Sequence, residues 1–223
     1  MGDLIVNGGN VGLDVGNQQF TVRNVTINGS ITGVKMTWNW GWNFQRITIN
    51  NAQVGFDVFV GTKLDFSGQG TGGNAIIDAV VTNTPVFYRS SIATTQLQSS
   101  IVLNNIQATN VAAIVGIIGG EVVLAGSAGQ TNIDTWVQGN VYAGSDSRGY
   151  VKGGVPSVQK AQSLLENGRI FSKGRPAYAN YDVSQVVSVK GQGVKGDGVT
   201  DDTAALQAVF DQVSTWIILI FRT

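Results

Sequence analysis

The 223-residue chain contains no cysteine and no histidine. The first absence excludes disulfides and thiolate metal sites, and the second removes the usual general base and imidazole ligand. Glutamate is nearly missing too, being confined to Glu121 and Glu166. Any acid chemistry must therefore rest on carboxylates, nearly all of them aspartates, and neither a metal nor a cofactor is called for. Only 13% of the residues are charged, and 14 basic side chains balance 14 acidic ones. No basic surplus exists to neutralise phosphates, which excludes nucleic acid as a partner. The apolar run from Trp216 to Phe221 is far below bilayer-spanning length, so no membrane anchor is expected. The opening "MGDLIVNGGNVGLDVG" goes directly into strand and turn residues, without the pattern of a signal peptide. Sequons at Asn24 and Asn28 nevertheless fit a secreted, extracellular parent.

What is present is recurrence. Short β-branched runs ending in Asn or Thr return along the chain as "LIVNGGNVG", "VTINGSITG", "ITINNAQVG", "VVTNTPV" and "IQATNVAA". Their turn positions, Asn7, Asn28, Asn50, Thr82 and Thr109, set a period in the twenties with longer steps where a loop is inserted. A Leu-x-x-Leu-x-Leu frame is absent, so leucine-rich repeats do not fit. The pattern predicts an all-β fold, a right-handed parallel β-helix. In it Val and Ile fill the interior, the 30 glycines make corners, and Asn7, Asn28 and Asn50 occupy equivalent ones.

Residues 1–143 are read as the later part of a first β-helix, 144–184 as an interdomain linker, and 185–223 as the truncated start of a second. Good helix formers and a Gly stop predict a linker helix over "SVQKAQSLLENG", Ser157 to Gly168. Further on, "KGDGVTDDTAALQ" leads a strand through a Gly-rich turn into a cap helix, with Thr200, Asp201 and Asp202 as N-terminal cap and first-turn acids. A phosphate loop is rejected there, because the G-x-x-x-x-G-K-[ST] order is missing and acids occupy the phosphate position. After that helix, "STWIILIFRT" departs abruptly from the strand and turn expected next.

The long motif "KGDGVTDDTAALQ" resembles the opening of pectate-lyase-like β-helix domains. With "GGNVGLDVGNQQFTVRNVTING" and "WNWGWNFQRITINNAQVGFDV" before it, the chain is similar to glycoside hydrolase family 55, the exo-β-1,3-glucanases built from two side-by-side β-helices. That resemblance implies a hydrolase that inverts stereochemistry and releases glucose from the non-reducing end of β-1,3-glucan. It also implies a complete protein that is monomeric and carries its general acid, a glutamate, in the second domain. Neither Glu121 nor Glu166 matches a catalytic motif, so the acid is expected outside this chain and the fragment is expected to be inactive alone.

"MTWNWGWNFQ" places Trp38, Trp40 and Trp42 at alternate positions, which in an extended strand would put all three indoles on one face. Indole faces stack on the C–H faces of neutral sugars, and uncharged amides bond hydroxyls. Gln18, Gln19, Trp38, Asn39, Trp40 and Trp42 are therefore the candidate substrate-binding residues, with core packing as the competing reading for each indole. Two other functions suit a β-helix: a pectin or polyuronate lyase, and a non-catalytic carbohydrate-binding or virion-surface protein. The strand region lacks the Lys/Arg clusters or acid-lined Ca²⁺ sites an acidic polymer requires.

Overall fold

Alternating aliphatic and polar residues dictate strands, and the repeat spacing dictates how those strands stack. A computed structural model describes residues 1–58, 71–91, 100–144, 147–157, 159–174, 178, 180–212 and 218–220. It divides the chain into two units, Met1–Gly174 and Arg175–Thr223. The first is a β-solenoid of about 4 turns.

In the solenoid, β1 (Gly2–Asn7), β2 (Val11–Asn28), β3 (Thr32–Asn50), β4 (Val54–Val58), β5 (Gly73–Thr82), β6 (Val86–Ser90) and β7 (Ser100–Ile117) pair in parallel. Asn7, Asn28, Asn50, Thr82 and Thr109 stand in register, one per coil. The Asn50 amide donates to Asn28 at 2.9 Å, and Asn28 donates to Asn7 at 2.9 Å. One residue on, Gly8, Gly29, Asn51, Asn83 and Asn110 all have positive φ, the conformation the bend requires and Gly and Asn tolerate. Asn110 donates to Asn83 and Asn83 to Asn51, continuing the ladder where side chains exist. The longer steps take up residues 59–70 and 92–99, which lie outside the described residues.

Inside, the same register stacks Ile27 on Ile49, Val81 and Ala108, and Val22 on Phe44, Ile76 and Leu103. All eight are buried, and each large one contributes roughly 1.5–3 kcal/mol by leaving water. An amide pair in the ladder contributes about 1 kcal/mol, so the core supplies most of the stability and the ladder helps fix which residue faces which. Outside, Asp14, Lys35, Asp57 and Arg89 form a row of alternating sign. Arg89 grips Asp57 through two bonds of 3.0 and 2.8 Å.

Not every glycine makes a corner. A Cβ on Gly12, Gly33 or Gly55 would come within 2.6 Å of a backbone oxygen of the next coil, so these positions need glycine for close approach.

The parallel order does not extend to residue 143, as the sequence reading had it. After β7 the chain reverses through Gly119 and Gly120, both at positive φ, and β8 (Val122–Ala143) lies antiparallel on β7. β9 (Ser147–Gly154) in turn lies antiparallel on β8. A Gly-Gly pair between apolar runs is a hairpin signal, and here it overrides the repeat.

The expected linker helix over Ser157–Gly168 is also corrected. That stretch holds a 3₁₀ turn at Gln162–Leu164 and then a hairpin of β10 (Leu165–Glu166) and β11 (Arg169–Ile170). Asn167 and Gly168 have φ of 53° and 74°, the two left-handed residues of a type I′ turn, so the glycine closes a hairpin rather than a helix. Buried Asp78 holds this hairpin to the solenoid by accepting the Ile170 N–H at 2.9 Å, while Asn105 donates to the Gly168 carbonyl at 3.1 Å.

In the second unit, β12 (Val186–Ser188) is followed by α1 (Thr203–Gln212), and β13 (Ile218–Ile220) pairs in parallel with β12. Part of the abrupt terminal stretch is thus a paired strand. Val209 is buried against Val189 and Val194, whereas Phe210 is exposed. Carboxylates organise the Gly-rich turn. Asp197 accepts the N–H groups of Val199 and Thr200 and the Thr200 hydroxyl, while Asp202 accepts those of Lys195 and Gly196. Asp201 bonds the Thr203 N–H at the helix start. Donors that a phosphate loop would present are occupied by side chains.

Two outcomes follow. Replacing Asn28 by Ala removes both of its ladder bonds and is expected to lower unfolding free energy by about 1–3 kcal/mol in urea denaturation; an unchanged midpoint would deny the ladder any role. In the second unit, the bonds from Thr200 and Val199 pull the Asp197 pKa down to about 2. Because the folded value lies below the ordinary one near ~3.9, this stabilisation is complete above that value and is lost as pH falls toward about 2. Amide exchange at Val199 and Thr200 should accelerate beyond its intrinsic pH dependence only in that window; uniform protection down to pH 2 would contradict the assignment.

Candidate functional site: an uncharged groove across the coils

Strands β2, β3, β5 and β7 carry one residue each in a row running along the stack: Thr21, Asn43, Ala75 and Val102. Two residues earlier in each strand stand Gln19, Gly41, Gly73 and Ser100, with Gln19 facing Gly41 and Gly73 facing Ser100. Since neighbouring strands lie about 4.8 Å apart, the rows cross the solenoid for about 14 Å. Between them lies an open hollow of about 480 Å³. Its depth comes from missing side chains, because Gly41 and Gly73 stand where larger residues would fill it.

Among the described residues, no charged side chain lines the hollow. Gln19, Thr21, Asn43 and Ser100 offer amides and hydroxyls, and Asn74 lies in the floor. Asn74 is itself held from below, accepting from the Asn39 amide at 2.7 Å and donating to the Tyr88 hydroxyl at 3.0 Å. Asn39 also accepts the Gly72 N–H at 2.7 Å. Burial raises the Tyr88 pKa well above its usual range, so the phenol stays neutral and the chain of bonds persists across ordinary pH. A buried network with its members paired makes the floor rigid.

The candidate residues from the sequence are dispersed. Gln19 lies on the rim, and Gln18 is exposed beside it but outside the lining. Asn39 is 1% exposed and its amide is used internally. The three indoles do not share a face: Trp42 is 5% exposed and packs inward while still contributing to the groove lining, Trp40 is 56% exposed and outside the lining, and Trp38 is half-buried against Gly16. The cause is that β3 wraps around a coil rather than running flat. Register slips past Thr37, and inward positions fall at Met36, Asn39, Trp42 and Phe44 instead of every second residue.

Trp42 donates its indole N–H to the Asn17 carbonyl at 3.1 Å and packs between Phe20 and Phe44, with ring centroids 5.3 and 5.8 Å away. Thr21, Asn43, Gly73 and Ser100 were not singled out from the sequence. The repeat spacing held the signal, because Gln19 and Thr21 carried forward coil by coil give all four. Alanine at Trp42 is expected to cost about 3–5 kcal/mol of stability, while alanine at Trp40 stays within about 0.5 kcal/mol. Comparable losses in thermal unfolding would overturn these placements.

A family model described as "Rhamnogalacturonase A/epimerase, pectate lyase-like" matches residues 1–57. The chain is 37% identical over 99% of its length to "Glucan 1,3-beta-glucosidase" of Cochliobolus carbonum, spanning 28% of that protein. It is 31% identical over 99% of its length to "Non-secreted LysM effector LysM19" of Penicillium expansum, spanning 18% of it. To "Probable glucan endo-1,3-beta-glucosidase" of Arthroderma benhamiae it is 27% identical, covering 99% of this chain and 36% of that one. The chain therefore spans well under half the length of these curated relatives. The chain is a β-solenoid whose first 57 residues match a pectate-lyase-like family model and which is similar along 99% of its length to a segment of a glucan 1,3-beta-glucosidase, as a fragment of glycoside hydrolase family 55 would be.

Proposed function

We propose that this chain supplies the substrate-holding wall of a β-1,3-glucan hydrolase that releases glucose from the non-reducing end with inversion. The observation that carries the reading is a groove whose described lining residues are all uncharged, in a chain matched along its length by proteins named for 1,3-beta-glucan cleavage. A neutral polymer presents hydroxyls and C–H faces and no charge. Gln19, Thr21, Asn43 and Ser100 suit the hydroxyls, and exposed Trp40, one residue before the groove floor at Gly41, suits a sugar face.

An inverting hydrolase needs a carboxylic acid on the leaving oxygen and a second group to hold water on the opposite sugar face. Among the described residues the groove lining includes no carboxylic acid, and in this proposal the general acid is a glutamate elsewhere in the complete protein, so that this chain alone does not turn over glucan. Glu166 is committed to Arg46 at 3.2 Å, and Glu121 follows the Gly119–Gly120 turn. The complete protein is monomeric and extracellular in this proposal, with residues 185–223 opening its second β-helix. The family model's name suggests polyuronate substrates instead, but such a polymer would meet no cation among the described residues of this groove.

The test uses a complete two-domain parent, comparing glucose release from laminarin with unsaturated product from polygalacturonate and reading the released anomer by NMR. Glucose as the inverted anomer is expected; unsaturated product would replace this reading. Gly41→Leu sharpens it, because a Cβ there meets nothing within 4 Å and the variant should fold normally with the groove filled. Laminarin turnover should fall by about ten-fold or more, while an unchanged rate would move the substrate elsewhere.

A further inference from the structure

A second hollow on the first unit, about 390 Å³ in volume, is lined by Arg46, Gln107, Glu166, Asn167 and Arg169. Its chemistry differs from the groove, with two guanidinium groups against one carboxylate. Arg46 occupies the corner position that other coils give to Asp3, Asn24, Asp78 and Asn105, all at φ near 50–58°. On those coils the short side chains bond one another, Asn24 to Asp3 at 2.7 Å and Asn105 to Asp78 at 2.6 Å. Arg46 adopts the same left-handed backbone, at φ 54°, without an Asn or Asp side chain to favour it. Such an exception points from an observed outlier toward a use.

The Arg46 side chain is 17% exposed and contacts Glu166 through one Nη at 3.2 Å. Its buried Nε–H has no hydrogen-bond partner. Across the hollow, Arg169 has no carboxylate within ion-pair distance among the described residues. The turn geometry at Asn167–Gly168, held down by Asp78 and Asn105, fixes Arg169 directly opposite Glu166 in the hairpin. Donors outnumber acceptors and the net charge is positive.

We infer that this hollow binds a small oxyanion, a carboxylate or a phosphate, with Arg169 as its principal contact and Arg46 and Gln107 completing the cradle. The Arg fork matches two oxygens of such a group, and the amide of Gln107 adds a neutral donor. The site is independent of the glucan groove, so either reading can fail alone.

The full chain is titrated with inorganic phosphate and, separately, with glucuronate, each against sodium chloride at matched ionic strength, with Tm and arginine Nε–H shifts as readouts. A saturable response to either is expected, and the stronger one tells a tetrahedral anion from a carboxylate. Arg169→Gln should weaken the apparent Kd by about ten-fold or more, whereas Lys152→Gln, an equal charge loss on another exposed strand, should leave it within about two-fold. Gln107→Ala keeps the charge and should weaken binding several-fold, which preserves the test if the Arg169 variant misfolds. Absence of saturation, equal response in Arg169→Gln, or equal binding of neutral glucose would overturn the site.

Discussion

Everything in the first unit depends on one constraint, the in-register stacking of each coil on the next. Parallel pairing places Thr21 beside Asn43, Asn43 beside Ala75 and Ala75 beside Val102, and the same offset governs every other row. Hydrophobic rows supply most of the free energy, but they are tolerant of exchange among Val, Ile and Leu. The Asn ladder, the positive-φ corners and the glycines in close approach are less tolerant. A slip of one residue would turn the interior outward, so these positions define the fold as much as the core stabilises it.

The groove is a product of that register. Glycine at one position in two adjacent coils leaves a trough, and the amides and hydroxyls of the flanking row become its walls. Beneath it, Asn39, Asn74 and Tyr88 form a neutral buried network rather than an aliphatic core. Such a network costs desolvation, and its pairing offsets that cost while fixing the floor. Arg46 is where the register carries an unlike residue, and the second hollow forms beside it.

The solenoid stops repeating by means of its turns. Gly119 and Gly120 reverse β7 into β8, and Asn167–Gly168 folds a short hairpin that Asp78, Asn105 and Arg46 hold against the corners. The second unit uses carboxylates for a similar purpose, binding backbone N–H groups around its Gly-rich turn before the helix begins.

By itself the sequence determined the solenoid, its corner asparagines and its resemblance to a glucanase family, because a stacked repeat writes its spacing directly into the chain. It also held the groove rows in that spacing. Only the tertiary structure decided where the indoles point, since inward and outward positions depend on where a coil bends and not on alternation alone. Likewise, Asn167–Gly168 as a hairpin turn and Gly119–Gly120 as a reversal required partners distant in the chain. Good helix formers around Ser157–Gly168 yielded to Asp78 and Asn105 because local propensity is worth a fraction of a kcal/mol per residue, and fixed tertiary hydrogen bonds outweigh it.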